Sequence, residues 1–163
     1  EPYAGKHGVL IVPTCDQSHT DLYKAIEYLD GLGATEIAIV CALGGRVDHS
    51  LTNIRLLRYF YSKSRRIVLH TQIQTLVFVH NETVVFLGKK KDYCGVLAFP
   101  EEAFVTTKNL HYSCDHSRIQ FAESDSVCNQ MLGPEAEIEV EGEALVIMPR
   151  QVRRDSMQYR VNV

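Results

Sequence analysis

Two short clusters in this 163-residue chain carry side chains suited to phosphate and metal chemistry. The first is Asp16-Gln17-Ser18-His19-Thr20-Asp21-Leu22-Tyr23-Lys24. On a helix Asp21 and Lys24 share a face, because side chains three apart are neighbours. Opposite charges there can hold a divalent cation and a phosphate together, since Mg²⁺ takes one or two carboxylates plus phosphate oxygens. Asp21 also suits a first helical turn through the helix dipole alone. Spacing leaves both readings open.

The second cluster is Gly44-Gly45-Arg46-Val47-Asp48-His49. Two glycines let the backbone approach a ligand closely. The free N–H groups of a helix start favour anions, and Arg46 offers a bidentate fork for phosphate. Asp48 is either the N-cap of the helix or a chemical group. Neither a GxxxxGK[ST] loop nor a GxGxxG fingerprint is present. His111, Cys114 and His116 form an H-x-x-C-x-H spacing without an obvious fourth zinc ligand. Cys15 near His19 lacks a third group to orient a nucleophilic pair.

Both main clusters lie between strand-like and helix-like segments. Gly8–Val12 and Ile37–Ala42 are uninterrupted apolar runs, read as strands buried on both faces of a parallel sheet. Thr20–Leu32 reads as a helix with Leu22, Ile26, Leu29 and Leu32 on its core face, stopped by Gly31 and Gly33. Asp48–Tyr61 reads as a second helix with Leu51, Ile54, Leu57 and Tyr61 inward, and Ile67–His70 as a third strand. This alternation predicts an α/β N-terminal domain with a parallel, Rossmann-like sheet. Right-handed crossovers place both strand-to-helix loops on the edge where open α/β sheets bind ligands.

After a boundary placed at residues 74/75, helical periodicity ends. Thr75–Val79, Thr83–Leu87, Gly95–Phe99, Ala103–Thr106, Arg118–Phe121, Ala136–Val140 and Ala144–Met148 read as short strands. The separators His80-Asn81-Glu82, Gly88-Lys89, Gly133-Pro134 and Glu141-Gly142-Glu143 read as turns. Residues 75–163 are therefore expected to form an antiparallel all-β sandwich domain.

Composition narrows the function classes. The net charge of -3 disfavours a large basic nucleic-acid surface. Five cysteines without regular spacing argue against a disulfide framework, no apolar stretch reaches the length of a membrane span, and a cytoplasmic setting is expected. The alternating Glu135, Glu137, Glu139, Glu141 and Glu143 read as a solvated strand face.

Taken together, Asp16-Gln-x-x-Thr-Asp-x-x-Lys24 and Gly44-Gly-Arg-x-Asp-His-x-Leu-x-Asn53, with a strand between them, resemble the thiamine pyrophosphokinase family. Val105-Thr-Thr-Lys-Asn-Leu-His-Tyr112 resembles a family segment that ends in Trp in many members, and Ser126-Val-Cys-Asn129 its Ser-x-Ser-Asn stretch. The family's Asp-x-Asp-Ser segment has no counterpart before Asp16, so the sequence is read as part of a longer protein.

The resemblance implies a homodimer with sites at the interface. It implies Mg²⁺-dependent transfer of pyrophosphate from ATP to the hydroxyl of thiamine, leaving AMP. On it, Asp21 holds the metal, and Lys24, Gly44, Gly45 and Arg46 meet the nucleotide's phosphates. Asp48 orients nucleotide, metal or proton, and Gln17, Tyr112, Ser126 and Asn129 contact thiamine. The alternative is a non-catalytic module that senses thiamine or its diphosphate.

Overall fold

The computed structural model describes residues 11–151 and 157–161. In chain order the elements are α1 (Asp21–Gly31), β1 (Glu36–Val40), α2 (Val47–Tyr59), β2 (Arg66–His70), β3 (Gln74–Leu87), β4 (Tyr93–Lys108), β5 (Ser117–Gln120), β6 (Ser126–Gln130), β7 (Glu135–Pro149) and β8 (Met157–Val161). The strands form one mixed sheet in the order β1-β2-β3-β7-β4-β5, with β6 also on β4 and β8 on β3. Among the described residues only β1 and β2 pair in parallel, and every other strand pairing is antiparallel.

The helices form where capping and patterning dictate. Thr20 caps α1, its hydroxyl accepting the Tyr23 N–H at 3.3 Å, and Gly33 follows the helix at φ +77°. The core face is narrower than the spacing predicts. Ile26 is buried, but Leu29 is 37% and Leu32 67% exposed. In α2 the buried pair is Leu56 and Leu57, and Leu51 stays exposed. The N-cap of α2 is Arg46 rather than Asp48, which falls in the first turn.

Strand burial also departs from the expectation. β1 buries Ile37 and Ile39 and exposes Ala38 and Val40, so it is covered on one face only. Of the expected strand at 8–12, residues 8–10 lie outside the described residues. Ile11 and Val12 carry no strand and are exposed.

The larger correction concerns the turns. His80-Asn81-Glu82 and Glu141-Gly142-Glu143 do not reverse the chain. Each pair of expected short strands is one long strand, and the supposed turns are irregularities inside it. Asn81 (φ 53°) and Gly142 (φ 97°) face each other, with Asn81 Oδ1 accepting the Gly142 N–H at 2.7 Å. β4 is also a single strand, with its own register shift between Ala98 and Ala103, beside Gly142. A bulge and a hairpin both call for left-handed residues, so local sequence cannot tell them apart.

Period-2 alternation on these long strands feeds two cores. Val77, Val79, Val84, Phe86 and Val146 enter an all-β core. Leu76, Phe78 and Leu145 point to the other face and meet Ile26, Leu56, Leu57 and Phe60 of the helical layer. The two halves of the chain are thus joined through a continuous sheet.

Candidate functional site

The loop before α1 is built on Asp16. Its carboxylate accepts the Ser18 N–H at 2.8 Å and lies 2.7 Å from His19 Nδ1. The Ser18 hydrogen bond first, and His19 next, hold its carboxyl below the usual carboxylate range. His19 stacks on Tyr23 with ring centroids 4.1 Å apart. Lys24 is sheltered, its side chain 17% exposed, and Nζ donates to the Asp16 carbonyl at 3.2 Å and pairs with Asp21 Oδ1 at 3.0 Å. The Asp21 carboxylate is fully exposed, and Gln17 is exposed in the same loop. The expected Asp21–Lys24 pairing on one helix face is present.

The glycine loop leaves the C-terminal end of β1. Cys41, Gly44 and Gly45 all have positive φ. Asn53 Nδ2 donates to the Ala42 carbonyl at 2.7 Å, and Ser50 Oγ accepts the Gly44 N–H at 3.1 Å, so α2 holds its own entry loop. Arg46 Nε donates to Asp48 Oδ1 at 3.1 Å, and Oδ1 also accepts the His49 N–H at 2.9 Å. The Arg46 guanidinium, foremost by hydrogen bonding, brings the Asp48 carboxyl down to about 2, and Asp48 raises Arg46 in turn. Both side chains are largely exposed, so a phosphate reaching Arg46 competes with Asp48 in water.

These clusters are not adjacent in the chain. Tyr23 meets Tyr59 (hydroxyls 3.2 Å apart) and Phe60, at the far end of α2 from Arg46. From Val47 to Tyr59 that helix rises about 18 Å. No hydrogen bond or ion pair among the described residues links the Asp16–Lys24 cluster to the Gly44–Asp48 cluster.

The third cluster lies on β6 and the loop before β5. Asn129 is fully buried. Its Oδ1 accepts the Tyr112 and Gln130 N–H groups at 2.9 Å each. Its Nδ2 donates to the Tyr112 carbonyl at 2.7 Å and reaches Ser126 Oγ at 3.5 Å. The amide is fully engaged, and its work is to hold Tyr112, whose side chain stays exposed. Cys128 adopts φ 57°, which bends β6. Gly95 is required opposite, since a Cβ there would lie 2.7 Å from the Ser126 carbonyl.

A cavity of about 560 Å³ opens at the C-terminal edge of β1 and β2, lined by Val40, Leu43, His70, Gln72, Ile73 and Arg150 among others. The sequence reading assigned none of these residues to a site. The available signal was their place at the carboxyl ends of parallel strands. Elsewhere, no group of three or more metal-ligating side chains occurs among the described residues, and His111, Cys114 and His116 do not converge on one. His111 meets Tyr112 edge-on and His116 stacks on Phe104. The alternating glutamates are a paired surface face, with Glu137 on Lys108, Glu143 on Arg58 and Glu141 near His116. No described helix is long and apolar enough to cross a membrane.

Two family models match the chain in succession. The thiamin pyrophosphokinase catalytic domain covers residues 1–69, and the thiamin pyrophosphokinase vitamin B1 binding domain covers residues 74–147. Thiamine pyrophosphokinase 1 of Oryza sativa subsp. japonica is 25% identical over 139 residues, 79% of this chain and 52% of that protein. The chain therefore spans about half the length of this curated relative. Thiamin pyrophosphokinase from Candida albicans matches with TM-score 0.80 at 14% identity, over 92% of this chain and 68% of that one. The Bacillus subtilis thiamine pyrophosphokinase structure matches with TM-score 0.75 at 21% identity, over 84% and 66%. At these identities the structures share the fold. With both halves of one family matched in order over most of its length, the chain belongs to the thiamin pyrophosphokinase family.

Proposed function

We propose that this protein transfers pyrophosphate from ATP to thiamine, giving thiamine diphosphate and AMP. The thiamine hydroxyl oxygen bonds to the β-phosphorus, the hydroxyl proton is released, and the bond from that phosphorus to the AMP oxygen breaks. Such transfers depend mainly on positioning and charge neutralisation. The observation that carries the reading is the Gly44–Gly45–Arg46 loop at the carboxyl end of β1, in a chain whose second half matches a vitamin B1 binding domain.

In this reading residues 1–74 form the catalytic, Rossmann-like domain and residues 75–163 the thiamine-binding β-sandwich. Gly44, Gly45 and Arg46 receive the phosphates, and Lys24, at the far end of α2 within one chain, meets them from the second copy. Asp48 keeps Arg46 aimed until phosphate displaces it. Tyr112 offers a flat face to thiamine, with Gln17 and Ser126 as polar contacts and Asn129 as the clamp behind Tyr112. The exposed Asp21 carboxylate suits one coordination position of Mg²⁺, with phosphate oxygens and water taking the rest. When bound, that ion neutralises charge on the phosphates. Lys24 beside it serves the same charge from the protein side. A cytoplasmic protein that engages neither nucleic acid nor membrane fits this role.

The sheet register supports a homodimer. Val40 pairs with His70, His70 with Thr75, and Thr75 with Met148, and β4 then leads to Asn129 through Cys94. Five strand spacings, about 24 Å along the sheet, separate the glycine loop of β1 from the Tyr112 cluster on β6. A second copy supplies a vitamin-binding face to each glycine loop.

Chromatographic detection of AMP and thiamine diphosphate tests this, with the protein, ATP, thiamine and Mg²⁺ mixed. Product formation that collapses in Asp21→Asn while the fold persists is the expected result. Thiamine binding indifferent to Mg²⁺ and nucleotide, with no turnover, instead identifies a sensing module.

A further inference from the structure

The strand that carries Ser126 and Asn129 is anchored at its head by a carboxylate. Pairing of β4 with β6 joins Tyr93 to Gln130 and Cys94 to Asn129, and ends with Val96 beside Ser126. Ala98 lies two residues further along β4. Its N–H donates to Asp125 Oδ1 at 2.9 Å, and Asp125 is the residue just before Ser126. The carboxylate thus satisfies a main-chain donor that the strand pairing no longer reaches.

The other carboxylate oxygen holds the turn between β5 and β6. Oδ2 accepts the Ala122 N–H at 3.2 Å, and Ala122 stands at φ 58°. A left-handed residue other than glycine persists where its surroundings fix it. Ser124 Oγ accepts the Gln120 N–H at 2.9 Å, and the Gln120 carbonyl accepts the Glu123 and Ser124 N–H groups at 3.1 Å each. The turn is closed by its own hydrogen bonds, and Asp125 Oδ1 ties it to β4 beside the register shift that follows Ala98. No cation pairs with Asp125 among the described residues, so its charge serves main-chain donors, where charged hydrogen bonds are the strong ones.

We propose that Asp125 is a positioning residue for thiamine, setting where Ser126 stands relative to Tyr112. The inference rests on the reading of Ser126 and Tyr112 as thiamine contacts. Ser126 is one residue from the anchor, and its carbonyl packs where a Cβ on Gly95 would come within 2.7 Å. Asn129, three residues on, is fully buried and fixed by its own bonds to Tyr112 and Gln130. Freeing Asp125 from Ala98 therefore moves Ser126 Oγ while Tyr112 keeps its place. Two polar contacts on one ligand act together only when their spacing is held, and a small misplacement removes one of them.

Calorimetric titration of the folded full chain with thiamine and, separately, with AMP tests this. Asp125→Ala is expected to weaken thiamine binding about tenfold, the worth of one hydrogen bond to the ligand, and to leave AMP affinity within about twofold. Asp125→Asn keeps an oxygen for the Ala98 N–H and is expected to stay within about threefold of wild type. In a Ser126→Ala background, Asp125→Ala is expected to add less than about twofold, because it acts through Ser126. Fully additive losses, or an equal fall in AMP affinity, show general loosening and overturn the positioning role. A tenfold loss in Asp125→Asn shows the charge at work and overturns it too, whether or not the Ala variant folds. Wild-type protein that binds AMP but no thiamine overturns the thiamine reading and this inference with it.

Discussion

Asn129 shows how a motif residue can act at one remove. Its side chain is committed to Tyr112, Gln130 and Ser126, so it shapes the aromatic loop rather than facing solvent. Asn129→Ala strands buried main-chain groups, and a stability loss of about 1–3 kcal/mol is expected in urea unfolding. Thiamine affinity measured on the folded fraction is expected to fall as well, because Tyr112 loses its clamp. Unchanged thiamine affinity at reduced stability removes Asn129 from the site. The residue types Asp21, Lys24, Arg46 and Asp48 were legible from spacing. The mutual neutralisation of Arg46 and Asp48 was not, since it depends on the helix starting one residue before Asp48.

At the scale of elements, β3 carries a charge that sequence alone placed in a turn. Glu82 is fully buried and receives both of its 2.9 Å hydrogen bonds from Arg66 Nη1. The Arg66 guanidinium lies 3.9 Å from the Tyr159 ring centroid, so β8 covers the pair from the edge of β3. Burial pushes the neighbouring Tyr61 hydroxyl up to about 12 and Tyr159 higher still. Arg66→Met leaves a buried carboxylate unpaired and is expected to cost about 3–5 kcal/mol in chemical denaturation. The double variant Arg66→Met with Glu82→Leu is expected to recover most of that loss. If the double variant is no more stable than the single one, the pair is not a self-contained unit. β8 itself carried too little pattern to be read as a strand; pairing with β3 defines it.

Over the whole molecule, the sites are spread along one continuous sheet. The glycine loop sits at β1, the Tyr112–Asn129 cluster at β6, and the Asp21–Lys24 turn near the far end of α2. Analytical ultracentrifugation is expected to find a dimer. Introducing charge at two exposed aromatic side chains, as in Tyr93→Asp with Phe121→Asp, is expected to give folded monomers without turnover. Monomeric wild-type protein with full activity contradicts the shared site.

What the sequence determined by itself was local: two helices, the glycine loop, the charged residue types, and a change from helical to strand periodicity after residue 74. These follow from short-range hydrogen bonding and hydrophobic period, which neighbours a few residues apart settle among themselves. Tertiary structure alone decided whether Asn81 and Gly142 reverse the chain or bend it, because a left-handed residue permits both and only the paired strand selects. It alone buried Glu82 against Arg66, joined both halves through β2 and β3, and gathered Val40, His70, Ile73 and Arg150 around one cavity. Those outcomes depend on contacts between residues distant in the chain, which no local pattern encodes.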